Sequence, residues 1–348
     1  MGKLFRNIFL AANVLLVLLT LGAYLAPHVS PASNSLLPII GLGYPALLVA
    51  NMLAIVLWLF LRSRWAFLSL ITMIVGYQSC TTLFNINRDE TPSAASFKVA
   101  SYNANFAKRI ALLAKPDQAL AEYENAKFLA RHNEVAVLCV QEDGLRTRAY
   151  FGAMDFGYSY RVEGMTVSIY SKFPILNKGM IDLKSTTANT CLWADIKLPK
   201  GIVRVYTAHL EANRSTAEVP EVILETAPEE MSISALFGIA QHHVQFSTVR
   251  STQALAISSH AASSPYATII CGDFNETPQS YVYTILKGDK QDTFQEAGNG
   301  IASTFGEKIP ALRIDHMFVD NTIEVLHHGI CPNAYSDHYM IVGELELK

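Results

Sequence analysis

Hydrophobic and polar positions divide the chain into two regions. Arg6 and Arg62 enclose a stretch without a single Asp, Glu, Lys or Arg. Two apolar runs in this stretch, residues 7–26 and 36–61, each reach the roughly 20 residues that a helix needs to cross a bilayer. A third charge-free run covers residues 65–84, although its second half is polar. The pattern predicts an N-terminal bundle of three transmembrane helices.

The first apolar run also fits two other interpretations. Lys3 and Arg6 ahead of an apolar segment are typical of a cleaved signal peptide, but further apolar runs follow, and the residues near Ala26 form a poor cleavage site. Helices buried in a soluble core are the second alternative, which the length of the runs disfavours. We therefore expect an uncleaved, multi-pass membrane protein.

Basic residues predict the side of the membrane on which the rest of the chain lies. Lys3 and Arg6 precede the first run, Arg62 and Arg64 lie between the second and the third, and the loop between the first two runs has no basic residue. Because basic residues concentrate on the cytoplasmic side, three spans place the chain after residue 85 outside the cytoplasm. Without the third span, the assignment reverses.

Short strand-like and helix-like segments follow a polar linker at residues 85–96 and fill residues 97–348. Helical patterns cover residues 115–133, residues 241–262 and the segment SYVYTILKG. The strand-like segments are FKVASYNA, VAVLCVQE, YSYRVEGMTVSIYSK, LWADIKL, IVRVYTAHL, YATIICGDF, IDHMFVD, TIEVLHHGI and YMIVGELEL. This mixture predicts one α/β or α+β domain in which two sheets pack face to face with helices outside.

The segment at residues 214–240 does not fit the strand and helix pattern. Its first half is acidic, and its second half contains an apolar patch at residues 233–239. A lid over a substrate, or a patch that touches the bilayer, is one interpretation. An ordinary surface insertion with one buried face is the other.

Composition narrows the choice of partners. The chain is 51% hydrophobic and 16% charged, an apolar excess that agrees with a membrane region. After residue 90 there remain 22 basic and 28 acidic residues, so the larger domain has no overall field that attracts polyanions. The five cysteines form no CxxC pair, and we assign none of them a function.

Polar side chains follow six apolar segments, at the points where strands end or begin. They are Asn103, Gln141, Glu142, His209, Asp273, Asn275, Asp315, His316, Asp337 and His338. One such residue is usually a cap or a turn former. Six segments with the same feature predict that these ends meet in one cleft.

The residue types in this cleft indicate a reaction. Carboxylate and amide oxygens suit a hard cation such as Mg²⁺ or Mn²⁺, and the chain has no HExxH or Cys/His group of zinc spacing. A hard cation beside imidazoles suits phosphoryl chemistry, because the metal polarises a phosphate oxygen while a histidine stabilises developing negative charge.

Six motifs in order, SYNANF, VQEDG, TAHLEAN, CGDFNETP, RIDHMF and YSDHYM, resemble the endonuclease/exonuclease/phosphatase family with its deoxyribonuclease I-like fold. The resemblance covers residues 97–348. It implies a four-layered α/β sandwich whose two sheets converge on a divalent-metal site that hydrolyses phosphate esters.

The resemblance also implies which residues hold the metal. Glu142 would be the principal ligand, Asn103 would lie near both the metal and the phosphate, and Asp337 is a further candidate ligand. Asp143, Glu211 and His316 neighbour these motifs, and we interpret them as structural.

The remaining motif residues receive catalytic and substrate-binding roles from the resemblance. Asp273 would position or deprotonate the attacking water, and Asn275 would contact the phosphate. His209 would stabilise the pentavalent phosphorus or assist the leaving group. His338, held by Asp315, would bind the phosphate or act as acid or base. Either Asp273 or His338 is the general base.

The sequence therefore predicts a membrane-anchored, Mg²⁺- or Mn²⁺-dependent phosphodiesterase that acts on nucleic acid or on a phospholipid or sphingolipid head group. Its partners would be this phosphate ester and the bilayer, and we predict no protein partner. A catalytically silent binding or scaffold protein with the same fold is the alternative. A channel or transporter is disfavoured, because the spans contain no acid or base.

Overall fold

The computed structural model describes residues 3–87, 92–104, 134–143, 157–185, 189–212, 233–305, 312–332 and 336–348, without the side chains of residues 233–240. The chain forms two compact units. The first comprises residues 1–83, 213–251 and 276–284, and the second comprises residues 84–212, 252–275 and 285–348. The helix predicted at 115–133, and residues 214–232 of the unusual segment, lie outside the described residues.

Five helices form the N-terminal part of the first unit. They are α1 (Lys3–Leu25), α2 (Leu36–Leu42), α3 (Tyr44–Phe60), α4 (Ala66–Val75) and α5 (Tyr77–Thr81). Within the described chain, the helical stretch Lys3–His28 alone is long and apolar enough to cross a membrane. Helices α2 and α3 reach that length together, but they bend by 62° at Gly43.

The prediction of three continuous spans is therefore wrong. The third run contains α4, whose 10 residues extend about 15 Å, half of the hydrocarbon core of a bilayer. The helix breaks at Gly76, where a Cβ would lie 2.0 Å from Cζ of Tyr24 on α1. The second run is broken at Gly43, two residues before Pro45 in the first turn of α3.

The interior of this helical region is polar. The Asn13 side chain donates to Ser69 Oγ at 2.7 Å, and its oxygen accepts from Trp58 Nε1 at 2.8 Å. Asn51 Nδ2 donates to Thr20 Oγ1 at 2.8 Å. All five side chains are buried, and they join α1, α3 and α4. We call these five residues the polar seam.

The outward faces of the same helices are apolar. Val56 is 64% exposed, Phe60 84% and Ile74 65%. Other exposed apolar side chains are Leu4, Ile8, Leu15, Leu18, Leu53, Leu59, Phe67, Ile71 and Val75. Polar groups inside and apolar groups outside are the reverse of the arrangement in a water-soluble bundle.

The second unit contains two six-stranded sheets and a two-stranded ribbon. The strands are β1 (Phe84–Asn85), β2 (Phe97–Asn103), β3 (Val135–Gln141), β4 (Tyr160–Glu163), β5 (Val167–Ser171), β6 (Ile175–Ile181), β7 (Cys191–Leu198), β8 (Gly201–His209), β9 (Ala267–Asp273), β10 (Gln291–Asp292), β11 (Gly300–Ile301), β12 (Asp315–Val319), β13 (Ile323–Cys331) and β14 (Met340–Leu347). The sheet orders are β13-β14-β2-β3-β5-β4 and β10-β12-β9-β8-β7-β6, and β1 pairs with β11.

Side chains from both sheets form one apolar core. Val99, Val137 and Ile169 of the first sheet and Val205 and Ile269 of the second are fully buried members of it. Three further helices follow β8: α6 (Ile233–Ala262), α7 (Tyr281–Lys287) and α8 (Thr293–Ala297). Two packed mixed sheets flanked by helices confirm the predicted fold class.

The strand predictions are confirmed for all nine segments, and the structure adds strands that the sequence pattern did not reveal. The longest of these is β6, an edge strand with the sequence ILNKGMI and mostly exposed side chains. Its polar centre has none of the alternation that marks a half-buried strand. Helix α6 contains the predicted helix 241–262 and begins eight residues earlier.

Candidate active site

Two pairs of parallel strands align the polar residues that the sequence places at strand ends. In the first sheet, Asn103 lies opposite Gln141, next to Glu142. In the second sheet, His209 lies opposite Asp273. Because parallel strands end at the same edge, each pair delivers its polar side chains together. β12 runs antiparallel to β9 and starts with Asp315 opposite Asp273.

Asp273 is the centre of the cluster. Its Oδ2 accepts from Asn103 Nδ2 at 2.9 Å and lies 3.6 Å from both His209 Nε2 and His338 Nε2. Its Oδ1 accepts from the backbone N–H of Asn275 at 2.9 Å. Burial would raise the pKa of Asp273, but His338 and His209 outweigh it, and the pKa is lowered. Asp273 is therefore ionised at neutral pH.

His338 and Asp315 form a buried pair, with His338 Nδ1 at 3.0 Å from Asp315 Oδ2. Burial lowers the pKa of His338, but the Asp315 and Asp273 carboxylates outweigh this, and its pKa is raised to about 10. Burial raises the pKa of Asp315 to about 6 although His338 lowers it. Both shifts belong to the coupled pair, and together they favour a protonated imidazole between two carboxylates.

Glu142 joins the cluster through Asn103, whose Nδ2 lies 3.3 Å from Glu142 Oε1. Its backbone has φ 55°, in the left-handed region that is uncommon for a residue other than glycine. Asn275 is also left-handed, with φ 52°. Such backbone strain concentrates at functional sites, where neighbouring contacts hold it in place.

The residues next to Glu142 explain how its turn is held. Asp143 is buried, its N–H donates to Thr166 O at 2.9 Å, and its Oδ2 accepts from the Tyr170 hydroxyl at 3.1 Å. These bonds tie the turn to β5 and to the loop before it. The geometry agrees with the structural interpretation of Asp143.

Asn275 has a partner that the sequence did not predict. Its Nδ2 donates to Leu210 O at 3.2 Å, and Asn189 Nδ2 donates to the same carbonyl at 2.8 Å. Leu210 N in turn donates to Asp273 O at 3.0 Å. The loop after β8 is therefore bonded to the loop after β9 on both sides of Phe274.

Seven of the eight predicted site residues are joined by hydrogen bonds or ion pairs. They are Asn103, Glu142, His209, Asp273, Asn275, Asp315 and His338. Asp337 is half-buried, and its charge raises the pKa of His338. Its role as a metal ligand stays a prediction.

Two groups of side chains suit a metal ion. Asp273, Asp315 and His338 each offer a ligand atom within 4.8 Å of the others, the one such group of His, Cys, Asp and Glu among the described residues. However, His338 Nδ1 and Asp315 already bond to each other. Glu142 with the amide of Asn103 is the alternative, and its oxygen donors fit a hard divalent cation.

Sequence reasoning missed two residues that hold His338. The Ser336 hydroxyl donates to Asn103 O at 2.8 Å and accepts from the His338 N–H at 3.0 Å. Thr304 bonds to Asp315 and to the residue after His338. Ser336 lies inside the YSDHYM motif, which is a usable signal, whereas Thr304 lies in no motif.

A buried carboxylate within 3.6 Å of two imidazoles, near carboxylate and amide oxygens that suit a divalent cation, is an arrangement typical of phosphoesterases. The model of the endonuclease/exonuclease/phosphatase family matches residues 84–338, and the chain belongs to this family. Enzymes of this family generally use divalent metals. A second model, described as a domain of unknown function (DUF8431), matches residues 6–83. No curated protein matches the chain.

Solved structures share the fold at low sequence identity. A mannosyl-6-phosphatase from Bacteroides thetaiotaomicron is 18% identical over 72% of this chain and 99% of its own, with a TM-score of 0.51. The catalytic domain of human nocturnin with a bound sulfate is 14% identical over 75% and 98%, with a TM-score of 0.53. D. rerio TDP2 with a single-strand DNA product is 14% identical over 72% and 99%, with a TM-score of 0.52.

Proposed function

We propose that the protein is a membrane-anchored, divalent-metal-dependent phosphodiesterase. The observation that carries this proposal is the position of Asp273, whose ionised carboxylate lies 3.6 Å from two histidines and is linked to Glu142 through Asn103. Family membership supports a phosphoric ester hydrolase. The eight site residues keep the roles that the sequence predicts for them, and the geometry sharpens two of those roles.

Asp273 is the better candidate for the general base. Its pKa is lowered, so it is ionised and able to accept a proton from water, whereas the raised pKa of His338 keeps that imidazole protonated. A protonated His338 suits a different task, which is to stabilise negative charge on a phosphate oxygen. His209 Nε2 lies 3.6 Å from the same Asp273 oxygen as His338 Nε2 and is assigned to the phosphorus or the leaving group.

The cation fits the oxygen donors of this site. Glu142 and Asn103 would hold Mg²⁺ or Mn²⁺, with Asp337 as a further candidate ligand. When bound, the cation supplies charge that polarises a phosphate oxygen. Asn103 also donates to Asp273, so its amide orients the proposed base.

Membrane anchoring is supported by the reversed polarity of the N-terminal helices. The polar seam is buried, the outward faces are apolar, and no charge lies between Arg6 and Arg62. We propose a multi-pass anchor made of α1 and the bent pair of α2 and α3. The extracytoplasmic placement of the catalytic domain rested on a third full-length span, and with α4 only 10 residues long that argument no longer holds.

The substrate is a phosphate ester attached to a larger molecule. Structural neighbours are described as a mannosyl-6-phosphatase and as TDP2 with a DNA product. Proteins with this fold therefore include examples that are described with a sugar phosphate and with a nucleic acid. The acidic balance of the larger domain disfavours a long polyanion. We propose a short nucleic-acid end or a lipid head group, both of which present a single phosphodiester.

The test is hydrolysis of bis-p-nitrophenyl phosphate by the full chain purified in detergent, with Mg²⁺, with Mn²⁺ and with chelator. We expect metal-dependent turnover that falls about 100- to 10,000-fold in Asp273→Asn. Asp320→Asn is the matched control, because Asp320 also accepts hydrogen bonds at the second sheet but at the opposite end of β9.

A catalytically silent binding protein predicts another result. It would bind Mg²⁺ or phosphate esters, and the folded, metal-loaded chain would hydrolyse neither this diester nor a panel of oligonucleotides, phospholipids and sugar phosphates. That outcome would overturn the proposed function.

A further inference from the structure

Thr304 is a fully buried residue next to the pair formed by Asp315 and His338. No motif contains it, and the proposed mechanism does not use it. Its side chain and its backbone both bond to segments that carry this pair. Four hydrogen bonds hold this buried threonine in place.

The Thr304 side chain acts on the Asp315 side of the pair. Its Oγ1 accepts from the N–H of Ile314 and from the N–H of Asp315, both at 3.1 Å. Both acceptor positions of the hydroxyl are therefore used, and its own hydrogen is left to donate. The two bonds hold the backbone directly before and at Asp315, which carries the carboxylate that contacts His338.

The Thr304 backbone acts on the His338 side of the pair. Its carbonyl accepts from the N–H of Tyr339 at 2.7 Å, and its N–H donates to Leu312 O at 3.0 Å. The next residue, Phe305, forms an isolated β-bridge with His338, and the two rings meet edge to face at 5.0 Å. One short segment therefore contacts both partners of the pair.

The same segment reaches Asp273 indirectly. Ile314, whose N–H is held by Thr304, accepts from the N–H of Phe274 at 3.0 Å through its carbonyl. Phe274 lies between Asp273 and Asn275. Ile314 therefore also bonds to the loop that carries the proposed base, but through a carbonyl that Thr304 does not contact.

We propose that Thr304 is a positioning residue of the active site: its hydroxyl fixes the backbone of Asp315, and through it the position of the carboxylate that orients the His338 ring. This inference rests on the proposed function of the site. Thr304 is not a catalytic residue, since it contacts neither the proposed cation ligands nor Asp273. Its effect passes through Asp315, as a carboxylate fixes a histidine ring only when it is itself held.

The first experiment compares Thr304→Val, which has nearly the same shape without a hydroxyl, with Thr304→Ser, which keeps the hydroxyl. Turnover of bis-p-nitrophenyl phosphate by the full chain in detergent is the readout. We expect kcat to fall about 10- to 100-fold in Thr304→Val with KM within about twofold, because a misplaced group loses rate rather than binding. Thr304→Ser should recover most of kcat.

Thr268→Val is the matched control. Thr268 is also buried in the second sheet, and its hydroxyl donates to Asp320 Oδ1 at 2.9 Å, at the end of β9 remote from Asp273. We expect it to lower the melting temperature without changing kcat. If Thr268→Val and Thr304→Val lower kcat equally, the effect is one of general stability and the proposal is wrong.

A double-mutant cycle separates positioning from an independent effect. In the background of Asp315→Asn, Thr304→Val should change kcat less than twofold further, because residues that act through one another are not additive. Equal fold-losses in both backgrounds would overturn the proposal. Should Thr304→Val fail to fold, the comparison of Thr304→Ala with Thr304→Ser decides on the same criteria.

A spectroscopic readout keeps this inference distinct from the proposed function. The proton that His338 Nδ1 shares with Asp315 gives a downfield NMR resonance, assigned by its loss in His338→Gln. We expect Thr304→Val to shift or broaden this resonance, and Thr304→Ser and Thr268→Val to leave it in place. An unchanged resonance in Thr304→Val would overturn the inference, whereas a wild-type chain without turnover would overturn only the proposed function.

Discussion

His328 shows how strongly a single buried residue depends on its surroundings. Its Nδ1 lies 2.9 Å from Thr293 Oγ1, and its ring meets Phe294 edge to face. Burial lowers its pKa to about 3; the Asp292 carboxylate opposes this, while Arg313 lowers the pKa further. His327 lowers it as well. His328 is therefore neutral in the folded protein at pH values well above 3.

This lowered pKa predicts acid sensitivity. Between pH 6.5 and about pH 3 the unfolded chain binds a proton at His328 that the folded chain does not, so the free energy of unfolding falls as the pH falls, by up to about 1.4 kcal/mol per pH unit. Above pH 6.5 His328 is neutral in both the folded and the unfolded chain, so this loss of stability is absent. In His328→Asn we expect a smaller drop of the melting temperature between pH 7 and pH 4.

His327→Asn is the control for this measurement, since His327 is the half-buried neighbour on the same strand. Because His327 contributes least to the lowered pKa of His328, this variant should keep most of the pH dependence of the unmodified chain. If His328→Asn and the unmodified chain lose the same number of degrees between pH 7 and pH 4, His328 is not the group responsible.

Strand β9 shows how an element brings catalytic residues together. It lies parallel to β8 and antiparallel to β12. β9 ends at Asp273, and opposite this residue β8 ends and β12 begins. Gly272 has φ 148°, and a Cβ at this position would lie 2.0 Å from Ala208 O on β8. The close approach of β8 and β9 beside Asp273 therefore requires glycine.

Gly272→Ala should consequently disrupt the element rather than the chemistry alone. The added methyl group meets backbone atoms, which do not move aside as a flexible side chain does, and we expect a loss of about 2–4 kcal/mol in the free energy of unfolding. Gly288→Ala is the matched control, since nothing lies within 4 Å of its added Cβ. Gly272→Ala with an unchanged melting temperature would contradict this explanation.

Sequence patterns predicted those strands that can be recognised from their own residues, without knowledge of distant contacts. The strands that carry Asn103, Glu142, His209 and Asp273 are short apolar runs that end in polar residues, and parallel pairing then collects those residues at one edge. Thr304 could not be predicted, because its contacts depend on how segments distant in sequence come together. The break in the third apolar run was missed, because it depends on packing of Gly76 against Tyr24 rather than on hydropathy.

At the scale of the whole molecule, the N-terminal helices raise the question of whether water or lipid surrounds them. Val56 lies in the second half of α3, four residues before its end, and is 64% exposed, while Asn51 on the same helix is buried with Thr20. In water, an exposed valine tolerates replacement by arginine and the protein becomes more soluble. In a bilayer, the same replacement opposes insertion by about 2.5–3.5 kcal/mol.

Val56→Arg therefore distinguishes the two environments. We expect the unmodified chain to stay in the membrane fraction after alkaline carbonate extraction, and Val56→Arg to insert poorly, with a large share lost to aggregation or degradation. Val56→Leu should behave as the unmodified chain does. If Val56→Arg instead yields a soluble, active protein, the apolar face contacts another protein surface or water, and the membrane-anchored form of the proposed function is wrong while its hydrolase chemistry stands.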